Sequence, residues 1–239
     1  MEVAVLYSGG KDSTYAIEYA LNRGWGIKYL VSIKPIRTDC FLFHYATVEN
    51  TPKTAKILGF SHHMLSCTVA DPKKEAQIVA DFVLGYPTKI DALILGGTGL
   101  QVTQIKSLQD SLHAFGVEVF ATHAGLDEEQ VYHEILDKGY KIIITQVAAD
   151  GMLKWLGEEI TKENFEKLRE DSRKYGFDLM GEGGNYDTFV YDGPIFKKQS
   201  LKVQGIKKTI DTPYSGFVYF EKAEIVNKAA SFFDKFKNK

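Results

Sequence analysis

Tyr7-Ser8-Gly9-Gly10-Lys11-Asp12-Ser13 follows an apolar run, Val3-Ala4-Val5-Leu6, and leads into a helix-patterned run over residues 13–22. A strand that enters a glycine turn and then a helix aims several backbone N–H groups at one point. The positive end of the helix dipole adds to their pull, so the stretch reads as an anion site. Gly9 and Gly10 can take positive φ and let a ligand approach the main chain. Lys11 brings a point charge, and Ser8 and Ser13 bring hydroxyls. The spacing is not that of a Walker A loop, which has four residues between its first glycine and the Gly-Lys pair.

Outward from this stretch the strand–helix alternation repeats. Residues 3–7 read as a buried strand, and Tyr15-Ala16 and Tyr19-Ala20 recur four apart on one helix face that ends at Gly24. Residues 27–33 form a second strand, followed by a loop containing Pro35 and the aromatic run Phe41-Leu42-Phe43-His44. Thr51-Pro52 and Asp71-Pro72 each combine a capping residue with proline at the first helical position. The helices they start run to Leu58 and about Leu84, with a third strand between them at 61–66. A fourth strand at 92–95 ends in Gly96-Gly97-Thr98-Gly99; a helix at 102–115 and a fifth strand at 117–121 follow. The expected fold is α/β: a parallel five-stranded nucleotide-binding sheet with helices on both faces, plus a smaller α+β C-terminal domain. Ligands of such sheets bind beyond the carboxyl ends of the strands. Three segments fall there: 8–13, 33–44 and 96–98.

After Gly125 the texture changes. A helix with an acidic first turn is expected at 127–138, a β-branched strand at 141–147, and a charged helix capped by Thr161 at 162–175. Strands at 189–191, 201–208 and 215–220 and a C-terminal helix complete the chain. The domain boundary is expected near Ala124, giving residues 1–124 and 125–239.

Composition sets bounds on this reading. The 239 residues are 44% hydrophobic and 25% charged, ordinary for a soluble chain able to bury a substantial core. A formal net charge of −2 argues against nonspecific nucleic-acid binding. Two cysteines, Cys40 and Cys67, make neither a disulfide framework nor a four-cysteine zinc site, and suit a reducing cytoplasm. The first residues read as a strand rather than a targeting segment, and no apolar run reaches membrane-spanning length.

Two further glycine features carry chemistry. Gly96-Gly97 offers backbone to ribose or phosphate, with Thr98 as a hydroxyl donor, or is a plain strand-ending turn. Gly183-Gly184, flanked by Glu182 and Asp187 and followed by Tyr186, allows close approach beside two carboxylates. Those carboxylates suit an ammonium ion, an amine nucleophile or Mg²⁺ on phosphates, and a solvated turn is the plainer reading.

Residues 8–13, SGGKDS, resemble the SGGxDS signature of the PP-loop ATP pyrophosphatases, which cleave ATP between the α and β phosphates and use the AMP half for activation. FLFH at 41–44, QVAADG at 146–151 and GEGGNYDTFVYDGPIF at 181–196 follow in order. Together the four look like the diphthine–ammonia ligase branch of that superfamily, across essentially the whole chain. The resemblance implies ATP and Mg²⁺ as cofactors and an acyl-adenylate attacked by ammonia. It implies translation elongation factor 2, bearing diphthine, as protein substrate. The family's acidic pattern is altered here at Asn185 and Asp187. Its Tyr-Gln-Arg-type segment reads Leu100-Gln101-Val102-Thr103-Gln104-Ile105-Lys106, so an arginine is replaced, with Lys106 the nearest cation. These departures leave the acceptor open between diphthine and a small carboxylate of cobalamin salvage.

By the same resemblance Tyr7, Ser8, Gly9, Gly10, Lys11, Asp12 and Ser13 hold the pyrophosphate end of ATP. Lys11 stabilises the leaving charge, and Asp12 positions Mg²⁺ or fixes the loop. Ser32 and Ile33 carry adenine through backbone contacts, and Gly97 and Thr98 border the nucleotide. His44, Glu182, Gly183, Gly184, Asn185, Tyr186 and Asp187 line the acceptor cleft, with Lys11, Asp12, Glu182 and Asp187 as the catalytic set.

Other features invite plainer readings. His62 and His63 are neighbours on a strand and face opposite ways, which disfavours a shared metal. His113, His123 and His133 show no ligand spacing, and Cys67 has no glutaminase pattern, so ammonia comes free or from another protein. The aromatic tail at 232–236 suits core packing or a homodimer contact. A tRNA-modifying enzyme and a non-catalytic adenine-nucleotide sensor are the competing functions; the former is disfavoured by the lack of a CxxC and of a basic domain.

Overall fold

The computed structural model describes residues 1–36, 46–97 and 102–228. Nine elements build the first sheet and its helices: β1 (Glu2–Leu6), α1 (Lys11–Asn22), β2 (Gly26–Pro35), α2 (Thr51–Leu58), β3 (His62–Cys67), α3 (Pro72–Gly85), β4 (Ala92–Leu95), α4 (Val102–Leu112) and β5 (Glu118–Ala121). The strands are all parallel in the order β3-β2-β1-β4-β5. The order reverses beside β1, so the crevice between the carboxyl ends of β1 and β4 is the site such sheets offer to ligands.

The burial explains the architecture. Val3, Ala4 and Val5 and all of β4 are buried on both sides, as strands covered by two helical layers must be. One face is covered by α3 and α4 through Ala76, Val79, Ala80, Val83, Leu108 and Leu112. The other is covered by α1 and α2 through Ala16, Ile17, Ala20 and Ala55.

The chain then forms α5 (Glu128–Asp137), β6 (Lys141–Ala148), β7 (Glu159–Ile160), α6 (Lys162–Tyr175), β8 (Tyr186–Asp192), β9 (Gln199–Thr212) and β10 (Ser215–Asn227). This second sheet is antiparallel, in the order β7-β6-β10-β9, with β8 also paired to β6. Its core centres on Ile142, Ile144, Trp155, Phe165, Leu168, Tyr186 and Phe196, and it takes in Tyr15 of α1 and Ile57 and Leu58 of α2. The two layers therefore share packing.

Several expectations need correction. Thr51 is the first residue of α2, not its cap; Asn50 takes that place. The strand expected at 189–191 begins at Tyr186, so Tyr186 and Asp187 of the second glycine motif are strand. The last two strands are a long hairpin: β10 continues past Phe220 to Asn227, and the C-terminal helix expected after it falls at residues outside those described. Alternating charges such as Lys202, Lys207, Glu221 and Glu224 mask its length, because both faces of the hairpin are largely solvated. The tail at 232–236 lies outside the described residues.

Candidate functional site

The first glycine loop leaves β1 and closes at once on the start of α1. Ser8 N–H donates to Ser13 Oγ at 3.2 Å, the two hydroxyls lie 3.1 Å apart, and Gly10 N–H donates to Ser8 Oγ at 3.3 Å. Gly9 holds φ at 81°, which an L-residue adopts only under strain. Gly10 is different: its φ of −72° suits any residue, and its requirement is space. A Cβ there would stand 3.1 Å from the Thr188 carbonyl oxygen. From β4, Gly96 presses so closely that a Cβ would overlap the Asp12 main chain.

The second glycine motif sits on the first. Val190 N–H donates to Gly9 O at 2.8 Å, and Lys11 N–H donates to Thr188 Oγ1 at 3.0 Å. The Lys11 side chain is 2% exposed. Its ammonium donates to Asp12 Oδ2 at 2.9 Å and to the Met180 carbonyl, and stands 5.4 and 5.5 Å from the ring centroids of Tyr132 and Tyr186. Burial works against its charge, but Asp12, Tyr132 and Glu182 outweigh it and hold its pKa above the ordinary lysine value. Lys11 thus clamps the two halves of the chain from within, rather than projecting as a mobile charge.

The motif itself is a tight turn. Gly181, Gly183 and Gly184 all have positive φ. Asp178 Oδ1 accepts from the N–H groups of Met180 and Glu182, at 2.9 and 2.7 Å, and Asn185 Oδ1 accepts from Asp178 N–H at 2.6 Å. Asn185 therefore closes the 178–185 turn. Glu182 is 5% exposed, and Asp187 is 9% exposed, paired in register with Gln146. Tyr186 OH donates to the Leu179 carbonyl.

Two family profiles match this chain: the diphthamide synthase N-terminal domain over residues 1–101 and the diphthamide synthase C-terminal domain over residues 127–226. The chain belongs to the diphthamide synthase family. It is similar to the diphthine–ammonia ligase of Danio rerio, 24% identical over 84% of this chain and 86% of that protein. The human diphthine–ammonia ligase is 26% identical over 84% of this chain and 82% of its own length. The Schizosaccharomyces pombe diphthine–ammonia ligase is 26% identical over 83% of this chain but only 36% of its own length. Among solved structures, a predicted subunit of tRNA methyltransferase from Methanocaldococcus jannaschii covers 81% of this chain and 98% of its own at 17% identity, with a TM-score of 0.43, too slight a likeness to carry weight.

Within this diphthamide synthase frame the other expected site residues fall as follows. β1 ends opposite Val31, while β2 runs on to Pro35 paired with β3. Leu30 N–H points to the β3 side and the Val31 carbonyl to the β1 side, so by alternation the Ile33 main chain faces the space that β1 has vacated. Ser32 faces inward: its Oγ donates to the Tyr7 carbonyl and lies 2.8 Å from His62 Nε2. Tyr7 OH donates to Thr54 Oγ1 at 2.9 Å, and burial pushes its pKa up to about 12, so it is a neutral packing group. Gly97 has φ of 96° and accepts from His123 N–H at 3.1 Å. His44 and Thr98 lie outside the described residues.

Asp12 fits one of its two expected roles. Its Oδ2 is committed to Lys11, and Oδ1 is buried with no partner among the described residues. Asp12 thus fixes the loop through Oδ2. No group of three His, Cys, Asp or Glu side chains able to hold a metal occurs among the described residues. None of the helices described is long and apolar enough to cross a membrane.

Sequence reasoning missed Tyr132, Met180 and Thr188 as partners of Lys11, and His62 as a site neighbour. His62 Nε2 lies 3.2 Å from Thr51 Oγ1 as well as beside Ser32, while His63 packs on Tyr29, Phe82 and Tyr86 on the opposite face. Strand alternation gave that split. The adjacency of His62 to the loop came only from strand order.

Proposed function

We propose that this chain is an ATP-dependent, AMP-forming ligase that adenylates a carboxylate for attack by ammonia, with diphthine on translation elongation factor 2 as the acceptor. The observation that carries the reading is the direct seating of the second glycine motif on the first, through Val190 N–H to Gly9 O and Lys11 N–H to Thr188 Oγ1. The named diphthine–ammonia ligases similar to both halves support it. Residues 1–124 supply the nucleotide half and residues 125–239 the acceptor half.

The acceptor carboxylate attacks the α-phosphorus and pyrophosphate leaves. Ammonia then attacks the acyl carbon, AMP leaves, and one proton is released. The N–H groups of the loop at 8–13 stabilise charge on the departing pyrophosphate, aided by the α1 N-terminus. Ile33 offers main-chain partners to adenine. Glu182 and Asp187, beside the loop, orient the incoming amine. Mg²⁺, carried on the phosphates of ATP, would supply further charge neutralisation.

The test is incubation with ATP, Mg²⁺, ammonium and diphthine-bearing elongation factor 2. AMP and pyrophosphate are expected in equal amounts, with amidated factor. ADP and phosphate as sole products would overturn the chemistry; AMP formed with a small carboxylate but not with the factor would overturn the acceptor.

A further inference from the structure

Two buried polar atoms near the loop, Asp12 Oδ1 and His123 Nε2, have no partner among the described residues, and they flank one turn. His123 follows β5 and is 1% exposed. Its ring is stacked on Tyr15 at 4.8 Å and stands edge-on to Tyr19 at 6.2 Å. Asp12, Tyr15 and Tyr19 occupy positions i, i+3 and i+7 of α1 and so share one helix face. The imidazole therefore lies along the face that carries Asp12. The turn after β4 joins them from below: Gly97 O accepts from His123 N–H, and Gly96 presses on the Asp12 main chain.

The hydrogen bonds around the ring favour one tautomer. Thr122 Oγ1 donates its single hydrogen to Leu95 O at 3.2 Å, and lies 3.3 Å from His123 Nδ1. With that hydrogen on Leu95 O the hydroxyl oxygen accepts, an arrangement that assigns the proton to Nδ1 and a lone pair to Nε2. Burial also disfavours the charged ring; Asp12 and Glu134 oppose that effect, and Lys11 and Lys138 reinforce it. Among the described residues nothing donates to His123 Nε2 or to Asp12 Oδ1. Buried acceptors left without donors are costly, and such atoms point to a ligand that supplies them.

We propose that Asp12 Oδ1 and His123 Nε2 form a binding site for ammonium, a compact cation with four N–H donors and no acceptor. The carboxylate compensates the charge, and the imidazole lone pair selects a hydrogen-bond donor over Mg²⁺ or another hard cation, which prefers oxygen ligands. The nearby cations do not occupy it: Lys11 is engaged by Asp12 Oδ2 and Met180 O, and Lys138 by Glu134 and Glu18. The choice of ammonium rests on the ligase reading above, whereas the missing donors do not.

Two measurements test this. In protein labelled with ¹⁵N-histidine, His123 should show a neutral ring protonated at Nδ1. Its Nε2 resonance should move saturably with ammonium chloride and not with potassium chloride. A ring protonated at Nε2, or an equal response to both salts, overturns the proposal. In the ligation assay His123→Gln should raise the KM for ammonium about tenfold or more, with the KM for ATP changed less than about twofold. Lost activity with an unchanged KM for ammonium also overturns it. If the wild-type protein forms no AMP with any acceptor, the ligase reading fails, while the resonance titration still decides whether ammonium binds.

Discussion

The two sheets hold their functional groups by different means. In the parallel sheet each element of the first glycine loop is adjacent in sequence: β1, Gly9, Gly10 and α1 are one continuous run. In the antiparallel sheet the partner motif depends on β8, which reaches Gly9 and Lys11 from almost 180 residues away. Local chemistry thus builds the glycine loop, and long-range packing decides what stands over it. A buried ammonium, that of Lys11, lies on the boundary between the two.

Lys11→Met attacks that boundary directly. It leaves Asp12 Oδ2 and the Met180 carbonyl without their donor, and removing one partner of a buried ion pair costs about 3–5 kcal/mol. Chemical denaturation should show one destabilised transition or two separated ones; an unchanged midpoint would mean that the sheets are not coupled here. Gly96→Ala tests the parallel side alone. Its methyl group would overlap the Asp12 main chain, an overpacking cost of about 1–3 kcal/mol. ATP affinity, measured by calorimetry, should fall with it; retained affinity would show that the loop tolerates displacement.

Asn164→Ala tests the antiparallel side at a distance. Asn164 Oδ1 accepts from Thr161 N–H and its amide donates to Glu159 O, so both ends of the start of α6 lose a bond. A loss of about 1 kcal/mol is expected, with ATP affinity unchanged; a drop in affinity would extend the coupling into α6.

The smallest effect is in pH. Burial lowers the pKa of His62 to about 4, with His63 adding a lesser push. The folded value lies below the unfolded one, so the unfolded chain binds more protons between them. The stability is present in full above about pH 6.5 and is lost as pH falls toward 4. With the partial exposure of the ring discounted, the change should be about 1 kcal/mol or less. His62→Gln should flatten this slope in urea titrations at pH 5 and pH 7; an identical slope would assign the acid sensitivity to other groups.

What could be read from the sequence follows the same division. β1 and β4 show as apolar runs because both faces are covered. α3 starts where Asp71-Pro72 says, with the Asp71 carboxylate accepting from Lys74 N–H at 2.9 Å, and α6 spans the expected 162–175. The glycine loop was legible because strand, turn and helix signals are local. The partners of Lys11 were not, since Tyr132, Met180 and Thr188 are far away in sequence and none carries a motif of its own. The change at Asn185 reads as a lost charge in sequence and as a turn-closing acceptor in structure. Only the fold could show that this side chain faces its own backbone.

The bond from Val190 N–H to Gly9 O also bears on the timing of synthesis. The main chain of residues 7–13 is completed by a donor near position 190, made about 180 residues later. At a translation rate of about 5–20 residues per second, roughly 10–40 seconds separate the two. During that interval the nascent strand and helix can form, but the loop lacks its cover and Lys11 lacks the Met180 carbonyl. A nascent chain stalled before β8 should therefore bind ATP weakly or not at all, and the loop would gain its cover only once β8 has been made.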